Sequence, residues 1–178
     1  MSSNKGKDGE MNALITFAIV AKNEENFDLT RPTTTNTPDM GADIILEHKE
    51  NFIENTMLPL STKKIPNTTP NTNTKVKLKN EKTRIDIKTT EKKLSKDTVE
   101  KFISDTRKHP DCTNHMLIGG QNLTSPAKKR LDKANEDLKE DKKKLYYLNN
   151  GEMKNISDHY KKLETQNKNS NKSLDKNI

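Results

Sequence analysis

The chain has no tryptophan, a single cysteine and, among its 33 basic residues, only four arginines. Each shortage excludes something. One cysteine, Cys112, cannot close an internal disulfide, and it rules out a zinc site built from cysteine pairs. So few arginines leave little scope for bidentate reading of base edges. Any contact with nucleic acid would run through lysine to phosphate and would weaken with salt. Aromatic residues make up 4% of the chain and hydrophobic residues 28%, and the mean hydropathy is −1.09. That composition lies close to the limit at which burial no longer offsets the entropy of ordering a chain. The most apolar stretch, Ala13–Ala21, is far shorter than the roughly 20 residues a membrane helix needs. Asp8 and Glu10 offset Lys5 and Lys7 just before it, which argues against the basic head of a secretory signal. Gly119-Gly120 lacks the spacing of a dinucleotide or phosphate-binding loop.

What remains is a chain of 178 residues, 33% charged, with a net charge of +7 spread along its length. That length suits one domain. The apolar residues fall in blocks separated by Asn, Thr and Lys, which predicts one α/β domain over 11–160. A flexible leader over 1–10, a disordered insert at about 60–75 and a disordered tail over 161–178 complete the reading. Leu14, Phe17, Ala18 and Ala21 recur at helical spacing within Met11–Phe27. Ala42–Leu46 reads as a strand, and Arg84–Thr89 alternates as a half-buried strand does. Ser95 is a helix cap ahead of Val99, Phe102 and Ile103, and His109-Pro110 stops that helix. Met116–Ile118 is a short buried strand. Ser125 is placed as the cap of a third helix with Pro126 at its first position, carrying the stripe Ala127, Leu131, Ala134 and Leu138. Leu145–Leu148 is the last strand. Tyr146 and Tyr147 then point to opposite faces, one towards the core and one to the surface. His115 and His159 are expected to pack or hydrogen-bond rather than to bind metal. Strand–helix–strand units of this kind imply a mixed sheet flanked by helices.

Two constellations carry functional meaning. The first is Asp43 in one strand and Asp86-Ile87-Lys88, a D-x-K triplet, in the next. Alternation along a strand puts Asp86 and Lys88 on one face. This is similar to the pattern of the PD-(D/E)xK nuclease superfamily. That resemblance implies a Mg²⁺ ion held by the hard carboxylate oxygens of Asp43 and Asp86, with Lys88 steadying the attacking hydroxide. Pro38-Asp39 is a weaker upstream echo. The bland alternative is the solvated face of a lysine-rich strand.

The second is the pair of fragments Gln121–Lys129 and Glu152–His159. The first carries Asn122-Leu123-Thr124-Ser125-Pro126-Ala127-Lys128-Lys129, and the second closes on Asn155-Ile156-Ser157-Asp158-His159. With Gly41–His48 and Arg84–His109 ahead of them, they resemble the N-terminal module of the fifth subunit of eukaryotic and large-DNA-virus RNA polymerases. That module has the same nuclease-like fold without its active site. The resemblance implies a non-catalytic subunit at the polymerase jaw, with no cofactor and no membrane contact. Its partners would be the largest polymerase subunits and the phosphates of duplex DNA. The implied DNA-backbone contacts are Lys128, Lys129 and Arg130, and the implied docking residues are Met153, Asn155, Ile156 and His159. The implied location is the nucleus for a cellular enzyme, or a virion or cytoplasmic replication site for a viral one.

Overall fold

A computed structural model describes residues 5–31, 42–66 and 79–174. One mixed five-stranded sheet runs through it in the order β1-β2-β3-β4-β5. The strands are β1 Asp28–Thr30, β2 Ile44–Lys49, β3 Asn80–Lys88, β4 Asn114–Gly119 and β5 Lys144–Leu148. The first three form an antiparallel meander, and β3, β4 and β5 are parallel. The parallel half needs crossovers, and helices supply them: α3 Lys96–Asp105 joins β3 to β4, and α4 Ser125–Asp137 joins β4 to β5. The α/β class and the mixed, helix-flanked sheet match the sequence expectation.

Two cores lie on opposite faces. On one face, α1 (Lys5–Asn23), α5 (Asn150–Leu174) and the short α2 (Leu58–Ser61) cover Ile44, Leu46, Ile85, Met116 and Ile118. Phe17, Phe52, Met57, Ile156 and Tyr160 complete that cluster. On the other face, α3 and α4 bring Val99, Phe102, Ala127 and Leu131 onto Leu117 and Leu145. Side-chain bonds fasten the helices to their neighbours. Tyr160 donates to Glu24 at 2.6 Å, joining α5 to α1, and Asn155 Nδ2 donates to the Ser61 carbonyl at 2.7 Å. Asn135 of α4 both donates to and accepts from the backbone of Leu145, which covers part of the free edge of β5.

Several expectations need correction. The largest is α5, a 25-residue helix where the sequence reading has only a last motif and then a disordered tail from 161. Met153, Ile156, Tyr160 and Leu163 recur along it every three or four residues and pack on the first core, and Glu164 pairs with Lys22. The first helix begins at Lys5, inside the expected leader, and ends at Asn23. Between β2 and the expected insert, Ile53–Met57 forms a π-helical turn leading into α2, and Phe52, Ile53, Met57 and Leu60 are core residues. Most of the expected insert, and Pro38-Asp39, lie outside the described residues. The cap of α4 is Thr124, whose hydroxyl accepts from the Ala127 N–H, so Ser125 and Pro126 are the first two helical residues. Ser95 caps α3 as expected, accepting from the Thr98 N–H at 3.3 Å. Tyr146 and Tyr147 do take opposite faces, but both are half-buried with bonded hydroxyls, to Glu54 and to the Gly119 carbonyl respectively.

Candidate functional site

The strand β3 has two unlike faces. Ile85 and Ile87 belong to the first core, whereas Arg84, Asp86 and Lys88 point to the side of α3 and α4. Ile44 lies opposite Ile85. Asp43 lies one residue before β2, close enough to Asp86 and Lys88 for their charges to act on it. The backbone ties it there: the Asp43 N–H donates to the Ile85 carbonyl at 2.9 Å. The Asp43 carboxylate then accepts the Ile87 N–H through Oδ2 at 2.6 Å. Asp86 is 2% exposed, and its Oδ1 accepts from the Lys88 ammonium at 2.5 Å. The three residues of the D-x-K pattern are thus brought together where β2 begins and β3 ends.

Two glycines allow this end of the sheet to close. A Cβ on Gly119 would lie 2.0 Å from the Lys88 carbonyl, and its φ of +127° suits glycine alone. A Cβ on Gly9 would lie 2.3 Å from Thr89, so α1 approaches the end of β3 more closely than a larger residue permits.

The setting of Asp43 disfavours its charged form. Burial raises the Asp43 carboxyl to about 6, with nearby Asp86 and Glu10 adding to the rise and the Ile87 N–H opposing it. Beneath Asp86 the fully buried Arg84 donates to the Phe102 carbonyl at 3.0 Å and stacks 4.8 Å from the Phe102 ring. Burial lowers the Arg84 pKa, and Asp86 and Asp105 counter that fall. Two hard carboxylates close together at the end of β3, one with its pKa raised to about 6, form a donor set that suits Mg²⁺ or Mn²⁺. A cation there would favour ionised Asp43, and water or main-chain oxygens would complete the shell.

The remaining sequence candidates are scattered. Lys128 and Lys129 are exposed on the first turns of α4, while Arg130 is half-buried and bonds Glu100 at 2.7 Å. Met153 and Ile156 are buried in the first core, Asn155 is held by Ser61, and half-buried His159 packs edge-on against Tyr160. His115 is fully buried beside Arg84, and neither ring nitrogen has a well-formed hydrogen bond among the described residues. Burial lowers its pKa to about 3, so it packs as a neutral ring.

Sequence reasoning missed one cluster. His109, Asp111 and Cys112 bring their ligand atoms within 4.8 Å of one another in the loop before β4. Their proximity in sequence was the available signal. Burial raises the Cys112 thiol to about 11, and Lys82 engages Asp111 at 3.3 Å. The thiol is therefore a poor ligand as it stands.

No family model, curated protein or solved structure matches this chain. Among the described residues no helix is long and apolar enough to cross a membrane.

Proposed function

We propose that the protein is a metal-dependent nuclease whose site is Asp43, Asp86 and Lys88. The observation that carries this reading is the meeting of Asp43 and Asp86 at the end of β3, where Asp43 accepts the Ile87 N–H and Lys88 bonds Asp86. A solvated strand face would leave these three groups apart and in water. Here Asp86 is buried, and Asp43 is desolvated enough to shift its titration. Burial of carboxylates is costly even when they are partnered, and functional sites are where such arrangements concentrate.

A bound Mg²⁺ or Mn²⁺ would neutralise phosphate charge and lower the pKa of a bound water. The chain's own groups do the rest. Asp43 and Asp86 supply the anionic oxygens, and the Ile87 N–H fixes the orientation of Asp43. Arg84 anchors the strand beneath Asp86 through Phe102. The Lys88 ammonium stands beside Asp86, where it can orient the attacking water and offset charge on the phosphate. Hydrolysis forms a bond from the water oxygen to phosphorus and breaks one phosphorus–ester oxygen bond. One water proton passes to solvent and the departing alkoxide gains a proton. The expected result is nicking of supercoiled DNA with Mg²⁺ or Mn²⁺, abolished by Asp86→Ala and strongly reduced by Lys88→Ala. Absence of cleavage with both ions would defeat the reading.

The non-catalytic polymerase-subunit reading is the second proposal, and the observation in its favour is the outward placement of Lys128 and Lys129 on α4. Arg130 is committed to Glu100, and Met153 and Ile156 to the protein's own core, so docking on the large subunits would fall mainly to His159 and its exposed neighbours. Affinity isolation from the native source would recover those subunits if this second reading holds and leave a free protein if it fails.

A further inference from the structure

Beside Lys88, a cleft of about 860 Å³ opens between α1 and α5 over the C-terminal ends of β3 and β4. Its character differs from that of the carboxylate pair. Ile15, Ile118 and Met153 form apolar walls, and Ile15, on the outward side of α1, is 46% exposed. The lysines Lys92, Lys154 and Lys161 also line it, and all three are exposed. Of these, Lys154 already pairs with Asp158 at 2.5 Å, and Glu91 is an acidic neighbour in the same lining. The volume falls within the range of pockets that enclose a small molecule, so it has room for a nucleotide or two and not for the width of a duplex.

We propose that this cleft seats an unpaired stretch of a nucleic-acid strand leading to the carboxylate pair. The proposal rests on the nuclease reading of Asp43, Asp86 and Lys88, and names the substrate class for it. A duplex shows phosphates and base edges but hides the faces of its bases. An apolar wall beside lysines has nothing to meet on such a surface, whereas an unpaired base offers a free face and a phosphate on either side of it. The cleft lies on the face of α1 and α5 and the acid pair on the other. Lys88, the last residue of β3, both lines the cleft and bonds Asp86, so the strand would pass from one to the other round the end of β3. The walls are aliphatic rather than aromatic, so affinity per base is modest and the phosphates carry much of the binding. The preference is for structure, an unpaired strand, and not for sequence.

The test separates binding from cleavage. The full chain carrying Asp86→Asn is titrated in EDTA against a fluorescein-labelled 15-nucleotide oligothymidine and against a duplex of equal length, with anisotropy as the readout. The expected result is a single-strand affinity about tenfold above that for the duplex at low salt. Adding Lys92→Ala with Lys161→Ala should lower single-strand affinity and reduce the slope of log affinity against log salt by about 1.4, that is about 0.7 for each phosphate no longer neutralised. Ile15→Asp, at an exposed position that leaves folding intact by circular dichroism, should weaken the single strand severalfold and the duplex hardly at all. Equal affinity for both forms, or no response to the cleft substitutions, would overturn the proposal. Nicking without this preference would leave the catalytic reading standing and remove the cleft. The preference without metal-dependent cleavage by the unsubstituted protein would do the reverse.

Discussion

Ile85 and Ile87 of β3 join Phe17, Met116 and Tyr160 in an apolar cluster on one face of the sheet, while Arg84, Asp86 and Lys88 of the same strand lie on the face of Phe102, Asp105 and His115. The first face is mainly hydrocarbon, roofed by α1, α2 and α5, with buried His48 bonded to Thr83 among its few polar groups. The second is a smaller apolar cluster crossed by a row of buried charge. A chain this poor in hydrophobic residues concentrates its best packing on one side, and that packing allows the other side to hold groups that cost stability. The division follows from alternation along β3, and Asp43, one residue before β2, joins the charged groups by accepting the Ile87 N–H, while Ile44 packs in the core.

The sharpest way to break this comparison is to damage the apolar face. Phe17 is fully buried, and Phe17→Ala should cost about 3–5 kcal/mol by transfer and cavity terms. Urea denaturation would show it as a lowered midpoint, and at this composition the variant should approach global unfolding.

Removing a charge from the other face should do the opposite. Burial raises the Asp43 pKa above its unfolded value, so the folded protein holds a proton that the unfolded chain has released. Stability therefore falls as pH rises from about 4 to about 6, and the loss is complete above that window. Asp43→Asn keeps an acceptor for the Ile87 N–H and removes this penalty. It should raise stability by ~2 kcal/mol at pH 8, after allowing for the part of the group that solvent screens, and by less than half of that at pH 4.5, read as a pH-dependent gain in melting temperature. A variant less stable than the parent at pH 8 would show that the charge is not a burden on this face.

The smallest effect concerns the start of α4. Thr124→Ala should cost about 1 kcal/mol by removing the acceptor for the Ala127 N–H, and Ser125→Ala should be close to neutral. Thermal melts of the two variants distinguish the caps.

How much of this was legible in the sequence depended on how local each signal was. Strand β3, helix α3 and strand β5 carry their pattern within a few residues, as does the D-x-K alternation, and all of these were readable. The N-terminus of α4 was readable to within one residue, because Thr124 and Ser125 are both acceptable caps and only the backbone decides between them. Strand β1 has three residues and exists through its pairing with β2, which leaves no periodicity to find. In α5 the stripe Met153, Ile156, Tyr160 and Leu163 was present but thin within an Asn- and Lys-rich stretch. Its order comes from α1 and from the sheet rather than from propensity. At the candidate site, the types and spacing of Asp86 and Lys88 could be read directly. The proximity of Asp43 needed its bonds to Ile85 and Ile87, and the roles of Gly9 and Gly119 needed the close approaches of α1 and β4 to the end of β3.

The central claim, that Asp43 and Asp86 together form a cation site, is tested most directly by thermal melts with and without Mn²⁺ across a pH series. The account predicts that Mn²⁺ raises the melting temperature at pH 7.5, because binding to the folded form alone stabilises it. The rise should shrink as pH falls through about 6, where Asp43 takes up its proton, and should vanish in both Asp43→Asn and Asp86→Asn. A melting temperature indifferent to Mn²⁺, or an equal rise in the two variants, would contradict it.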